Sequence, residues 1–204
     1  DTIDANLIHE AKDLKIIANY AVGYDNIDID AASSRGIVVT NTPGVLTDST
    51  ADMAWALLFS IARRTVEGDE FTRNGKFRGW EPLLLLGGDL REKTLGIIGA
   101  GRIGTAVALR SRGWDMKVLY TTRSNRNSML EETLNAERVD LETLLQESDF
   151  VSINTRFSEE TRHLIGFREF SKMKRTAYLV NTARGAVIDE AALVEALRNR
   201  QIAG

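Results

Sequence analysis

The 204-residue chain contains no cysteine and only two histidines. Without cysteine it has no disulfides and no thiolate metal ligands, and with His9 and His163 alone a multi-histidine metal site is not expected either. No apolar run reaches the ~18 residues that a bilayer crossing needs, so no membrane association is expected. The first ten residues, DTIDANLIHE, lack the basic start and apolar core of a signal peptide, which points to a cytoplasmic chain. An excess of one charge is missing as well: 26 Lys and Arg are interspersed with 29 Asp and Glu, a net charge of −3. There is no basic stripe to neutralise a phosphate backbone, so no nucleic acid partner is expected. What remains is 43% hydrophobic and 27% charged, an ordinary globular composition that can bury a real core in one or two domains. There is no internal repeat and no low-complexity tract. With so few reactive side chains, any chemistry needs a borrowed cofactor.

Beyond residue 90, strand-like and helix-like patterns alternate. Strands are predicted at 94–98, 117–121, 150–155 and 178–182, each rich in β-branched or aromatic residues, with helices between them, the first at 104–111. This order implies an α/β fold of Rossmann type, a doubly wound parallel sheet with helices on both faces. The first third differs: two short strands at 14–19 and 37–41 flank a helix near 29–34 that stops at Gly36. A domain boundary is expected near Pro43, giving a partial first domain, 1–43, and a coenzyme domain, 44–204, that is incomplete at its C-terminal end. Thr47, Asp48 and Ser49 offer N-caps to a long apolar-periodic helix at 51–63. Segment 71–88, with Trp80, Pro82 and the run Leu83 to Leu86, reads as an arm for a second subunit or as a loop on its own core.

The strongest local signal is TLGIIGAGRIG at 94–104, an apolar strand running into Gly99, Gly101 and Gly104. The spacing G-x-G-x-x-G is common alone, but here it joins a strand to a helix, as a dinucleotide site requires. Gly99 allows the tight turn, Gly101 lets backbone approach a pyrophosphate, and Gly104 lets the helix pack on the strand. Free N–H groups at the helix start, around Arg102 and Ile103, then face the phosphates. About twenty residues on, the next strand carries the residue that meets the adenosine ribose. An acidic side chain would suit a free 2′-hydroxyl. The sequence at 120–126 reads Tyr, Thr, Thr, Arg, Ser, Asn, Arg, with no carboxylate. Thr122, Arg123, Ser124 and Arg126 suit a phosphate dianion, so NADP(H) is expected in preference to NAD(H), a solvated basic loop being the plain alternative.

Several motifs in order, ANYAVGYDNID (18–28), NTPGVLTDSTADMAWALL (41–58), TLGIIGAGRIG, ETRHLIG (160–166) and NTARGAVIDEAALVEAL (181–197), carry a resemblance along nearly the whole chain. The chain resembles the D-isomer-specific 2-hydroxyacid dehydrogenases, and among them the glyoxylate/hydroxypyruvate reductases. The resemblance implies a small flavodoxin-like substrate domain, represented here in part, beside the Rossmann domain, and hydride transfer from the nicotinamide to a small 2-oxo acid such as glyoxylate or hydroxypyruvate. It assigns Arg184 to the substrate's carboxylate and oxo group, a role that a planar fork of donors suits. An ion pair with Asp189 or Glu190 is the structural alternative. Backbone N–H groups of Val22 and Gly23 match the other grip on the carboxylate, and Thr182, Ala183 and Arg184 match the nicotinamide end. Thr50 matches a position near the nicotinamide or is a helix-cap hydroxyl.

The family's proton donor is a histidine paired with a glutamate beyond the arginine, and neither occurs in residues 1–204. His163 falls where the family carries a non-catalytic histidine, His9 is a surface residue, and Glu190 opens a helix. The chain is therefore expected to be the middle of a longer polypeptide and to turn over little as it stands. Arg156 and Phe157 depart from the family's proline and leucine, and the sequence offers no reason for them. A homodimer through the long helix and segment 71–88 is implied. The rival from another class is a dinucleotide-sensing, corepressor-like binding protein on the same fold.

Overall fold

The structure, a computed structural model, describes residues 1–123 and 125–204. The chain runs α1 (Ala5–Glu10), β1 (Ile16–Ala18), α2 (Ile29–Ser34), β2 (Val38–Thr40), α3 (Thr47–Ala62), α4 (Thr65–Arg73), β3 (Thr94–Ile98), α5 (Arg102–Arg110), β4 (Lys117–Thr121), α6 (Ser128–Leu134), β5 (Glu137–Arg138), α7 (Leu141–Glu147), β6 (Phe150–Ile153), α8 (Phe167–Phe170), β7 (Tyr178–Asn181) and α9 (Glu190–Arg198). Single 3₁₀ turns lie at Ser111–Trp114, Glu159–Thr161 and Gly185–Val187. The chain divides into two compact units, Asp1–Thr47 and Asp48–Gly204.

In the first unit β1 and β2 pair in parallel, Ile16 opposite Val38 and Ala18 opposite Thr40. Ile8 of α1 and Ala32 of α2 close with Ile37 into a small core. The other face of the ribbon is bare, with Ile16 and Val38 both exposed.

The second unit is built on a parallel five-stranded sheet of order β5-β4-β3-β6-β7. β3, the first strand of this sheet in the chain, lies at its centre; the chain winds outward through β4 and β5, then returns to β6 and β7. The crevice at the carboxyl ends of β3 and β6 is therefore the topological switch point, where open α/β sheets bind ligands. The strands read as continuous apolar runs because both faces are covered. Successive residues serve alternate cores: Leu95, Ile97, Val118, Tyr120 and Val180 meet α3, α5 and α6 on one side. Ile98, Leu119, Val151, Ile153 and Leu179 meet α7, α8 and α9 on the other.

The long helix begins earlier than the caps imply. Thr47, Asp48 and Ser49 lie inside the first turn of α3 rather than before it. The tertiary reason is that Asp48 and Asp52, one turn apart, both bind Arg110 of α5, at 3.0 and 2.8 Å. The Trp55 indole N–H adds a buried bond to the Val107 carbonyl at 2.9 Å. Arg64, left-handed at φ 55°, separates α3 from α4. That second helix takes up the start of segment 71–88, where sequence reading expects an arm or loop. The strands at 150–153 and 178–181 end one or two residues before their expected limits, and α5 starts at Arg102, two residues before Gly104. No helix among the described residues is long and apolar enough to cross a membrane.

Candidate functional site

The turn after β3 is fixed by steric necessity at two of its three glycines. Gly99 has φ +94°, and a Cβ there would lie 2.7 Å from the Thr155 backbone nitrogen. A Cβ on Gly104 would lie 2.1 Å from the Gly99 carbonyl oxygen. Gly101 is different: its φ is an ordinary −78°, and an added Cβ would meet nothing within 4 Å. The fold itself does not need a glycine at 101. The open space lies over the start of the nine-residue helix α5, whose N-cap, Gly101, offers no side-chain acceptor. A pyrophosphate fits this combination, since backbone without a Cβ can come close and the helix N–H groups and dipole favour an anion. Arg102 is exposed at the helix start, and Ile103 packs against the first core.

A polar network holds this turn from behind. Asn127 caps α6 by accepting from the Leu130 N–H at 3.2 Å, while its amide donates to the Ala100 carbonyl at 3.1 Å and to the Thr105 hydroxyl at 2.8 Å. The Asn127 N–H donates to the Tyr120 hydroxyl at 2.9 Å, and that hydroxyl donates to Glu131 at 2.5 Å. Arg126 donates to the same carboxylate at 3.0 Å. The Arg126 guanidinium, with help from the Tyr120 hydroxyl, holds the Glu131 carboxyl below its ordinary value. Burial, and then the bond to Glu131, pushes the Tyr120 phenol up. Sequence reasoning missed Asn127, although an asparagine before a helical run is a cap signal. Arg126, expected from the sequence among the phosphate ligands, pairs in the structure with Glu131 through a guanidinium that stays largely exposed.

A groove of about 720 Å³ runs from the glycine turn to the end of β4. Gly99, Gly101, Thr122, Arg123, Asn154 and Arg156 are among its walls. Arg123 forms an ion pair with Glu160, which lines the same groove. Ser124 lies outside the described residues. Two buried polar atoms just past the ends of β6 and β7, Asn154 Oδ1 and Thr182 Oγ1, have no hydrogen-bond partner among the described residues. Phe157, unexplained by sequence, packs against the second core beneath the Arg162 guanidinium, 5.1 Å from its ring centroid.

Arg184 is exposed on the turn after β7, and Asn181 sets that turn. The Asn181 amide donates to the Arg184 carbonyl at 2.8 Å and its oxygen accepts from the Ala183 N–H at 2.9 Å. Asp189 is occupied in capping α9, accepting from the N–H groups of Ala191 and Ala192. Thr50 sits half-buried within the first turns of α3. In the first unit, the Val22 and Gly23 carbonyls accept from the side chains of Asn41 and Asn19, at 2.8 and 2.7 Å. His163 is exposed at φ 51° and its N–H donates to the Ala186 carbonyl at 2.9 Å; His9 is exposed at the end of α1.

A doubly wound parallel sheet with a glycine turn at its switch point defines a dinucleotide-binding protein of Rossmann type. The family model for the D-isomer specific 2-hydroxyacid dehydrogenase, NAD binding domain, matches residues 55–204. The chain belongs to that family and carries its nicotinamide dinucleotide domain. It is 55% identical over 208 residues to a glyoxylate reductase of Thermococcus litoralis, covering 100% of this chain and 62% of that protein. Among solved structures it is similar to a glyoxylate reductase from Paecilomyes thermophila, with TM-score 0.90 and 40% identity over 99% of this chain and 60% of the other. A D-lactate dehydrogenase from Aquifex aeolicus, solved with NAD and lactic acid, has TM-score 0.91 and 32% identity over 100% of this chain and 60% of the other. The chain thus spans about 62% of the length of the curated relative it matches.

Proposed function

We propose that this chain forms the coenzyme-binding part of a reductase that converts a small 2-oxo acid, such as glyoxylate or hydroxypyruvate, to the 2-hydroxy acid. The observation that carries the reading is the open space at Gly101, a glycine that the folded chain does not itself require. When bound, the nicotinamide dinucleotide supplies the hydride. Gly101 and the first N–H groups of α5, around Arg102 and Ile103, hold the pyrophosphate. Thr122 and Arg123 meet the adenosine ribose, and a 2′-phosphate on it is favoured because the end of β4 carries no carboxylate. Arg126, whose exposed guanidinium pairs with Glu131, is a further donor to that phosphate when it exchanges partners. Ala183 and the Thr182 hydroxyl, which has no partner among the described residues, lie toward the nicotinamide, with Thr50 a further contact.

Arg184 grips the carboxylate and oxo group of the substrate, and its fixed positive charge stabilises the alkoxide as it develops. In the first unit, Val22 and Gly23 offer backbone N–H groups suited to a substrate carboxylate. No proton transfer is assigned to His163 or His9. The bare apolar side chains of α3 and of segment 71–88, among them Met53, Leu57, Trp80, Leu83 and Leu86, support a homodimer through that surface. Light scattering that returns a monomer would overturn the dimer.

The test is NADPH oxidation with glyoxylate and hydroxypyruvate, run on residues 1–204 and on the same chain extended to the length of its relatives, with NADPH and NADH binding titrated in parallel. Turnover by the extended chain is expected. Coenzyme binding without turnover of any small 2-oxo acid would replace the reductase by a dinucleotide sensor.

A further inference from the structure

The end of β4 lacks the carboxylate that would meet a free ribose 2′-hydroxyl, yet the groove beside it does not. Glu160, on the 3₁₀ turn between β6 and α8, lines the same groove as Thr122 and Arg123 and forms an ion pair with Arg123. Both side chains are largely exposed, 75% for Arg123 and 73% for Glu160, so the pair is screened and cheap to break. Arg123 cannot give its guanidinium fully to Glu160 and to a phosphate dianion at once. A neutral 2′-hydroxyl has the opposite preference, because a carboxylate accepts its hydrogen bond.

We infer that Glu160 is a specificity-determining residue for the coenzyme: it competes with a ribose 2′-phosphate for Arg123 and lowers the preference for NADPH over NADH. The carboxylate comes from a different element, roughly forty residues beyond the strand end where the usual acidic residue stands. The inference rests on the proposed coenzyme site, but its failure has a separate signature.

The experiment titrates NADPH and NADH into the wild-type chain and into Glu160→Gln, Arg123→Gln and the double variant, at low and at high salt. Glutamine keeps the shape of the side chain, removes its charge and turns one acceptor oxygen into an amide donor. Glu160→Gln is expected to tighten NADPH about three- to fivefold at low salt, the scale of an exposed ion pair, and to leave NADH equal or weaker. The gain should shrink at high salt and fall below about twofold when Arg123 is already glutamine. NADPH affinity unchanged by Glu160→Gln, with both coenzymes still binding, overturns the inference alone. A gain that persists in full in the Arg123→Gln background also overturns it, since direct repulsion would then be the cause. If the wild-type chain binds neither coenzyme, the coenzyme site itself falls and takes this inference with it.

Discussion

The turn after β3 and the loop after β4 are neighbours at the carboxyl edge of one sheet, and they are built by opposite means. Backbone sterics hold the turn: Gly99 and Gly104 leave no room for a Cβ, and Asn127 ties the Ala100 carbonyl from behind. The loop depends on exposed side chains, with Arg123 bound to Glu160 and Arg126 to Glu131. A rigid turn suits a pyrophosphate, which every nicotinamide dinucleotide carries. Side chains that can exchange partners suit the ribose, the part in which NAD and NADP differ.

Substitution by alanine within the turn should separate demands of the fold from demands of the ligand. Gly104→Ala is expected to have the largest effect, destabilising by about 3 kcal/mol or more, because its Cβ would overlap the Gly99 carbonyl where α5 packs on β3. Urea midpoints would show it, and a stable Gly104→Ala protein would mean that the turn is softer than drawn. Gly101→Ala should cost less than about 1 kcal/mol in the same assay while weakening NADPH binding about tenfold or more. Equal binding by Gly101→Ala would remove the pyrophosphate from that space.

Tyr120→Phe tests whether the support behind the turn is structural. It removes a buried hydroxyl that bridges Asn127 and Glu131, and a loss of about 1–2 kcal/mol is expected from thermal or urea unfolding. Arg126→Gln should have the smallest effect, and one that depends on pH. The Glu131 carboxyl lies below its ordinary value of 4.5, chiefly because of Arg126. A depressed carboxyl contributes stability that is present above the unfolded value and is lost as pH falls through the folded one. The variant should therefore be less stable than wild type near neutral pH, and the gap should close as the pH falls below about 4. A gap that is the same at every pH would assign the role of Arg126 to packing.

The core of the second unit was legible because both faces of its sheet are buried, which leaves continuous apolar strands separated by helical periods. The Rossmann class and the positions of β3, β4, β6 and β7 follow from that pattern, with errors of one or two residues at strand ends. The start of α3 was misread for a reason of distance: Asp48 and Asp52 look like local capping and surface residues until Arg110, some sixty residues on, is brought beside them. Helix α4 was hidden because none of its residues is buried, so it has no apolar stripe to betray it. The pairing of Arg126 with Glu131 is not read from the sequence, because the Tyr120 hydroxyl that donates to the same carboxylate comes from within the sheet.

The sequence by itself determined the strand–glycine–helix unit, the family motifs and the absence of a strand-end carboxylate, all of which depend on residues close together in the chain. Only the tertiary structure decided that Gly101, unlike Gly99 and Gly104, is free of the fold's own demands, and that Glu160 puts a carboxylate beside Arg123. The physical reason is that sterics and charge act through space: which atoms a Cβ would strike, and which acid meets which base, is set by the winding of the sheet and not by spacing along the chain.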